Sequence, residues 1–103
     1  MEKFKALYKA MYDDLKDSEM MIEYAYKIKE KDEKDGALAK EIASYAAYRL
    51  AHFMEFHKLF VAESAKYASK VSADAVDHCM WGETHKMMQE WYESIKHKID
   101  HYA

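Results

Sequence analysis

The chain of 103 residues contains no proline and only two glycines, Gly36 and Gly82. Proline and glycine commonly occur in turns and at the ends of strands, and both are poor helix formers. A chain with so few of them has few places where its backbone can turn. We therefore predict an all-α protein with long helices and two tight connections. The length suits one domain with its own core.

Apolar residues recur at three- and four-residue steps in three segments, with lysine and glutamate between them, as in amphipathic helices. We predict helices at about 3–33, 37–69 and 73–101. Asp35 can cap the second helix, and Ser72 or Asp74 the third. Short connections between long helices favour antiparallel neighbours. The fold class expected is an up-down-up antiparallel three-helix bundle, with residues 1–103 forming a single domain.

The charge pattern argues against direct nucleic-acid binding. The formal net charge is −3, and Arg49 is the only arginine, whereas nucleic-acid readers concentrate arginine and lysine on one face. The single Cys79 excludes a disulfide framework within the chain and indicates a reducing compartment. The N-terminal residues lack the apolar stretch of a signal peptide, and no run approaches a membrane span. We expect a cytoplasmic protein without a membrane association.

Two histidines and a glutamate lie within the segment HFMEFH, residues 52–57. If the two turns centre near residues 35 and 71, antiparallel packing places His57 level with His85. The same register places His52 level with Glu90 and with Ser18 or Glu19. These positions are uncertain by about one helical turn.

One interpretation of these residues is a metal site. Ferritin-like proteins place an acid on one helix and a Glu-x-x-His pair on another, and this chain resembles them in residue type. Such a site would hold iron, manganese or zinc. A Glu-x-x-His pair and a fourth helix are both missing from the chain, so a dimer would have to complete the bundle. The candidate ligands are Asp14, Glu19, His52, Glu55, His57 and His85.

The other interpretation, which we favour, is that these histidines are half-buried packing residues without a cofactor. A second histidine pair, His97 and His101, is spaced i,i+4 and shares a helix face. That spacing can hold zinc or nickel, but the pair lies in the last turn, where metal binding is commonly adventitious. A cationic histidine near a helix C-terminus also has an electrostatic rationale.

No catalytic constellation is evident. The neighbours His78 and Cys79 point about 100° apart on a helix, so they do not form a catalytic dyad. A glycine-rich phosphate loop and a serine elbow are both missing from the sequence. We expect that the protein is not an enzyme.

Aromatic and methionine residues are abundant: nine Tyr, eight Met, four Phe and two Trp. A core of this length cannot bury them all, and Tyr and Trp supply large contact areas at interfaces. Arg49 either pairs with Glu23 or anchors an interface. We therefore predict a protein–protein interface, with a partner or with a second copy in a homo-oligomer. The candidate interface residues are Tyr8, Tyr12, Tyr24, Tyr26, Tyr48, Arg49 and Trp81.

The stretches LYKAMYDDLKDSEMMIEYAYKIKE (residues 7–30) and LAHFMEFHKLF (residues 50–60) resemble small helical proteins of phages and prophages of low-GC Gram-positive bacteria. Those proteins are rich in Lys, Glu, Tyr and Met and lack proline. The resemblance is one of style over the whole chain and carries over no site residues. It implies an accessory role in binding a host or phage protein, in some cases as an inhibitor of host defence.

Overall fold

The computed structural model describes residues 2–31, 36–70 and 76–102, with side chains for residues 3–31, 36–66 and 83–102. Within those ranges the chain is all-helical and contains no strand. The predicted capping residues Asp35, Ser72 and Asp74 lie outside the described residues. The three helices are α1 (Glu2–Lys31), α2 (Gly36–Lys70) and α3 (Val76–Asp100).

α3 continues through Gly82 without a break. One glycine among strong helix formers costs only about 1 kcal/mol, which the rest of a long helix can absorb.

α1 and α2 make most of the close contacts between helices. Their shared seam is lined by small buried side chains, among them Ala25, Ala43 and Ala46. The Ser18 hydroxyl, also buried, donates a hydrogen bond to the Ala46 carbonyl at 2.7 Å. Because small residues project little from the helix surface, the two backbones approach closely along this seam.

Larger side chains fill the rest of the core. The Phe4 ring of α1 meets the Phe60 ring of α2 edge to face, with centroids 5.9 Å apart. In the described part of α3, Met88 and Ile95 are the buried apolar side chains. Large residues on α3 pack against α1 and α2 at wider spacing than the alanine seam, which explains why α3 makes fewer close contacts.

Contacts between α1 and α2 show a register slightly different from the predicted one. Arg49 of α2 lies beside Asp17 of α1, whereas the predicted register places it beside residue 21. Four residues correspond to about one helical turn. Between α2 and α3, His57 lies beside His85, as the predicted register requires.

The molecule is elongated, with principal extents of 58 × 18 × 17 Å. Among the described helices, none has a stretch of sufficient length and apolar character to cross a lipid bilayer.

Candidate functional site

A buried carboxylate lies at the centre of a charged cluster on α1 and α2. Asp14 is only 3% exposed, and its Oδ1 lies 3.1 Å from Arg49 Nη2. The same guanidinium nitrogen donates to Asp17 Oδ2 at 2.6 Å. His52 Nδ1 lies 3.6 Å from Asp14 Oδ2. We call these four residues the Asp14 cluster.

Burial raises the pKa of the Asp14 carboxyl above its ordinary value, and the charges of Arg49 and His52 partly offset that effect. Asp14 Oδ2 and Arg49 Nε are buried and have no hydrogen-bond partner among the described residues. Polar atoms of this kind normally find a partner in protein or water. The cluster is therefore charge-compensated but incompletely hydrogen-bonded.

The partner of Arg49 differs from the one expected from sequence. The predicted ion pair with Glu23 is wrong, because the register shift of about one turn presents Asp14 and Asp17 instead. Glu23 faces the opposite side of α1, where Lys98 Nζ of α3 lies 3.3 Å from its carboxylate. The same shift moves His52 from the predicted level of Ser18 or Glu19 to that of Asp14.

A pair of stacked imidazoles connects α2 and α3. His57 Nε2 and His85 Nε2 are 2.5 Å apart, and the ring centroids are separated by 4.7 Å with an interplanar angle of 19°. One ring donates its N–H to the bare nitrogen of the other, which requires at least one neutral histidine. Burial lowers the pKa of both histidines, and for His57 the charge of His85 lowers it further.

The six ligands proposed for a ferritin-like site lie at separate places. Asp14 and His52 belong to the Asp14 cluster, whereas His57 and His85 form the imidazole pair. Glu19 accepts a hydrogen bond from Trp91 Nε1 at 2.9 Å.

Glu55 is exposed, with Lys58 Nζ 3.7 Å from its Oε1. No group of three or more His, Cys, Asp or Glu side chains within the described ranges could hold a metal ion. The histidines near the C-terminus, His97 and His101, stack with centroids 4.1 Å apart. His101 Nδ1 donates to the His97 carbonyl at 2.8 Å.

The candidate interface residues differ in exposure. Tyr24 and Tyr48 are exposed by 60% and 70%. Tyr12 is also exposed, but its ring packs on Trp91 edge to face at 5.4 Å. Tyr8 is half-buried against the core. The Trp81 side chain lies outside the described residues.

Tyr26, one of the candidate interface residues, is not a free surface aromatic. It is half-buried, and its hydroxyl donates to the Lys98 carbonyl at 2.7 Å. Its ring meets Tyr102 edge to face at 5.2 Å. Tyr26 therefore ties the end of α1 to the end of α3.

Sequence reasoning missed part of the exposed apolar surface on α2. Leu38 and Tyr45 belong to the apolar pattern of the second helix, which predicts that they face inward, but they are exposed by 49% and 56%. α2 meets α1 through its alanines instead, which turns the flank carrying Leu38 and Tyr45 outward. No local signal in the sequence marks this rotation, because alanine is compatible with both faces.

This flank continues across the space between α1 and α2. Met20, which is exposed, and Met21, which is half-buried, line a shallow groove of about 250 Å³ together with Asp17, Tyr24 and Ile42. The groove is apolar apart from Asp17, and Asp17 also belongs to the Asp14 cluster. We call the surface formed by the exposed Met20 and Tyr24 of α1 and the exposed Leu38, Tyr45 and Tyr48 of α2 the α1–α2 face. It combines exposed apolar side chains with a charged border at Asp17.

Comparisons with models of known protein families, with curated proteins and with solved structures found no match to this chain.

Proposed function

We propose that the chain is a non-enzymatic protein–protein interaction module, built as an up-down-up antiparallel three-helix bundle. The contacts of Phe4 with Phe60 and of His57 with His85 support this helix order. The observation that carries the functional proposal is the α1–α2 face. Met20 and Tyr24 are exposed there on α1, and Tyr48 is exposed on α2, where it stacks on His52, the neighbour of Asp14. Exposed apolar groups concentrated on one face are typical of binding surfaces.

The composition of this face suits recognition of a protein. Tyrosine presents a large rigid ring with a polar tip, and methionine adapts to irregular partner surfaces. Arg49, held by Asp14 and Asp17, lies at the border of the face in a fixed orientation. Arginine and tyrosine are both enriched among residues that dominate binding energy.

The resemblance to phage and prophage accessory proteins extends this proposal to a biological setting. In that setting the chain acts in the cytoplasm and binds a host or phage protein, as an accessory factor or as an inhibitor of that protein. The apolar α1–α2 face would make the principal contact. Direct nucleic-acid and membrane contacts form no part of the proposed role.

A substitution pair tests whether the face acts as a binding surface. Tyr48→Glu places a charge on the α1–α2 face, and Met87→Glu places the same charge on α3, where Met87 is equally exposed at 69%. In cells that make the native chain, chemical cross-linking should trap complexes with wild type and with Met87→Glu but not with Tyr48→Glu. Equal helical content by circular dichroism is the control for folding. Complexes that survive Tyr48→Glu unchanged contradict the proposal.

Metal binding is the second candidate function, and the His57–His85 pair is the observation that favours it. Two imidazole nitrogens lie side by side, and small side-chain rotations can open a space between them. Iron, manganese or zinc bound there would need further ligands from water or from another chain. Mass spectrometry of metal content in untagged protein tests this role. Stoichiometric metal that is lost in His57→Ala supports it, and a metal-free protein removes it.

A further inference from the structure

The outer face of α1 carries a regular stripe of exposed side chains. Their spacing alternates four and three residues, which is the spacing of a seam between two helices in a coiled coil. Five of the six side chains are exposed, and the sixth, Asp17, is half-exposed where it accepts the hydrogen bond from Arg49. The stripe consists of Asp13, Asp17, Met20, Tyr24, Lys27 and Lys31.

The chemistry of the stripe changes along the helix in a symmetric way. Its first two members are acidic, the middle two are apolar, and the last two are basic. Reversing its direction exchanges acids for bases and leaves the apolar centre in place. The stripe is therefore complementary to an antiparallel copy of itself.

We propose that this stripe docks on the same stripe of a second copy of the chain, with the two α1 helices antiparallel about a twofold axis at the level of Ile22. The proposal rests on the proposed function and names the partner of the α1–α2 face. Asp13 then meets Lys31 of the second copy, and Asp17 meets its Lys27. Met20 meets Tyr24 of the second copy across the axis.

Charge complementarity selects this occupant and this direction. A parallel second copy would place Asp13 against Asp13 and Lys31 against Lys31, and like charges in contact are unfavourable. Asp17 can contact Lys27 of the second copy while it keeps its bond to Arg49 of its own chain. Only its Oδ2 is bonded to Arg49, and its side chain is 46% exposed.

Exposed residues of α2 widen the contact. Tyr45 and Tyr48 are exposed, and Tyr45 lies one helical turn from Ile42, which lines the shallow groove beside the stripe. The approaching helix can cover this part of α2. The stripe is about 27 Å long at 1.5 Å per residue, and the molecule is 18 Å wide, which gives a footprint of about 500 Å² per copy. Stable interfaces bury about 800 Å² per partner. The dimer is therefore weak and reversible, and its exposed ion pairs make it sensitive to salt.

A charge swap provides the test. Asp13 and Lys31 lie about 27 Å apart along one helix, so they cannot contact each other within one copy. Sedimentation equilibrium from micromolar to millimolar concentration measures the dimer constant of wild type, Asp13→Lys, Lys31→Asp and the double variant. Each single variant turns both symmetric ion pairs into repulsions and should weaken the dimer by about tenfold or more. The double variant should restore it. Glu93→Lys on α3, an exposed site outside the stripe, is the matched control.

Restoration by the double variant, together with weakening of the wild-type dimer by salt, supports the proposal. A wild-type chain that stays monomeric overturns it, as does a dimer that Asp13→Lys leaves unchanged or that the double variant fails to restore. These results are separable from failure of the proposed function. A monomeric chain whose cellular complexes are still lost in Tyr48→Glu overturns self-docking alone.

Discussion

The residue with the strongest electrostatic constraint is Asp14, a carboxylate buried in the α1–α2 packing. Removing a carboxylate from water is costly unless a cation compensates it. Arg49 supplies that cation from the neighbouring helix, and it also reaches Asp17. The cluster therefore fixes the relative position of α1 and α2 in a way that apolar packing alone does not.

We expect Arg49→Met to lower the free energy of unfolding by about 1–3 kcal/mol at neutral pH. Loss of a buried partner costs more than this in general, but Arg49 is about a third exposed and water compensates in part. Without the guanidinium, the pKa of Asp14 rises further. A carboxyl whose pKa is raised in the folded chain stabilises the fold at acidic pH, because the folded chain binds its proton more tightly. That stabilisation is lost as pH rises through the raised pKa. Chemical denaturation should therefore show a smaller loss near pH 4 than at pH 7.

Asp14→Asn in the Arg49→Met background is the control for this prediction. The amide removes the buried charge, so the double variant should recover part of the stability that Arg49→Met loses. In the presence of Asp14→Asn, the effect of Arg49→Met on stability should depend little on pH. A double variant as unstable as the sum of the two single variants would mean that Asp14 and Arg49 are not energetically coupled.

The sequence singled out Arg49 as the only arginine and Asp14 as a candidate metal ligand, so the two residues were assigned different roles. Their pairing was missed because it depends on where the first turn centres, and a shift of four residues brings another acid into reach. Acids occur on consecutive turns of α1, so charge alone does not select the partner.

At the scale of elements, the His57–His85 pair connects α2 and α3, and counting residues across an assumed turn was sufficient to predict that they lie at one level. The alanine seam between α1 and α2 was not predictable in the same way. Alanine contributes little to an apolar pattern, so the larger Leu38 and Tyr45 were expected to face inward. Close backbone approach instead favoured the small side chains, and the larger ones became part of the exposed face.

The imidazole pair predicts a stability loss on mild acidification. Both histidines have a folded-state pKa below 6.5, so the unfolded chain binds protons first as pH falls. Stability should therefore decrease as pH falls below about 6.5, until the folded-state pKa values are passed. Thermal unfolding of wild type should be measured at several pH values from 7.5 to 5, which cover the usual range of histidine titration. The midpoint temperature of unfolding should fall as the pH falls.

The variant His57→Gln/His85→Gln can retain polar contacts but does not titrate, so its decrease over this range should be smaller. The contribution of Asp14, whose raised pKa acts in the opposite direction, is common to both proteins and cancels in the comparison. An identical pH dependence in the two proteins would assign the effect to other groups.

For the whole molecule, the scarcity of proline and glycine was sufficient to predict three long helices and no strand, and the described residues confirm this. Helix formation depends on local propensity and periodicity, which the sequence carries directly. The distances between the three helices depend on the size of the side chains where two helices meet. The apolar periodicity of the sequence does not predict these distances. The structure therefore adds an asymmetry, with α1 and α2 closely paired and α3 packed at wider spacing.

This asymmetry predicts unequal local stability. Amides of α3 should exchange with solvent at a lower opening free energy than those in the middle of α1 and α2, because fewer close contacts hold α3. Tyr26→Phe removes the hydrogen bond to Lys98 and should accelerate exchange in α3 while leaving the alanine seam unchanged. Hydrogen exchange with mass spectrometry measures both effects. Uniform protection across all three helices would show that the molecule opens as one unit.

The elongated form has a hydrodynamic consequence. A compact domain of this length has a radius of gyration of about 13 Å, whereas this molecule has one of 16.7 Å. A rod experiences more friction than a sphere of equal mass, so a single copy of 12.2 kDa should leave a gel-filtration column early, at the volume of a heavier globular standard. Stokes radius and mass thus diverge for this protein, and its rotational tumbling should be visibly faster about the long axis than end over end.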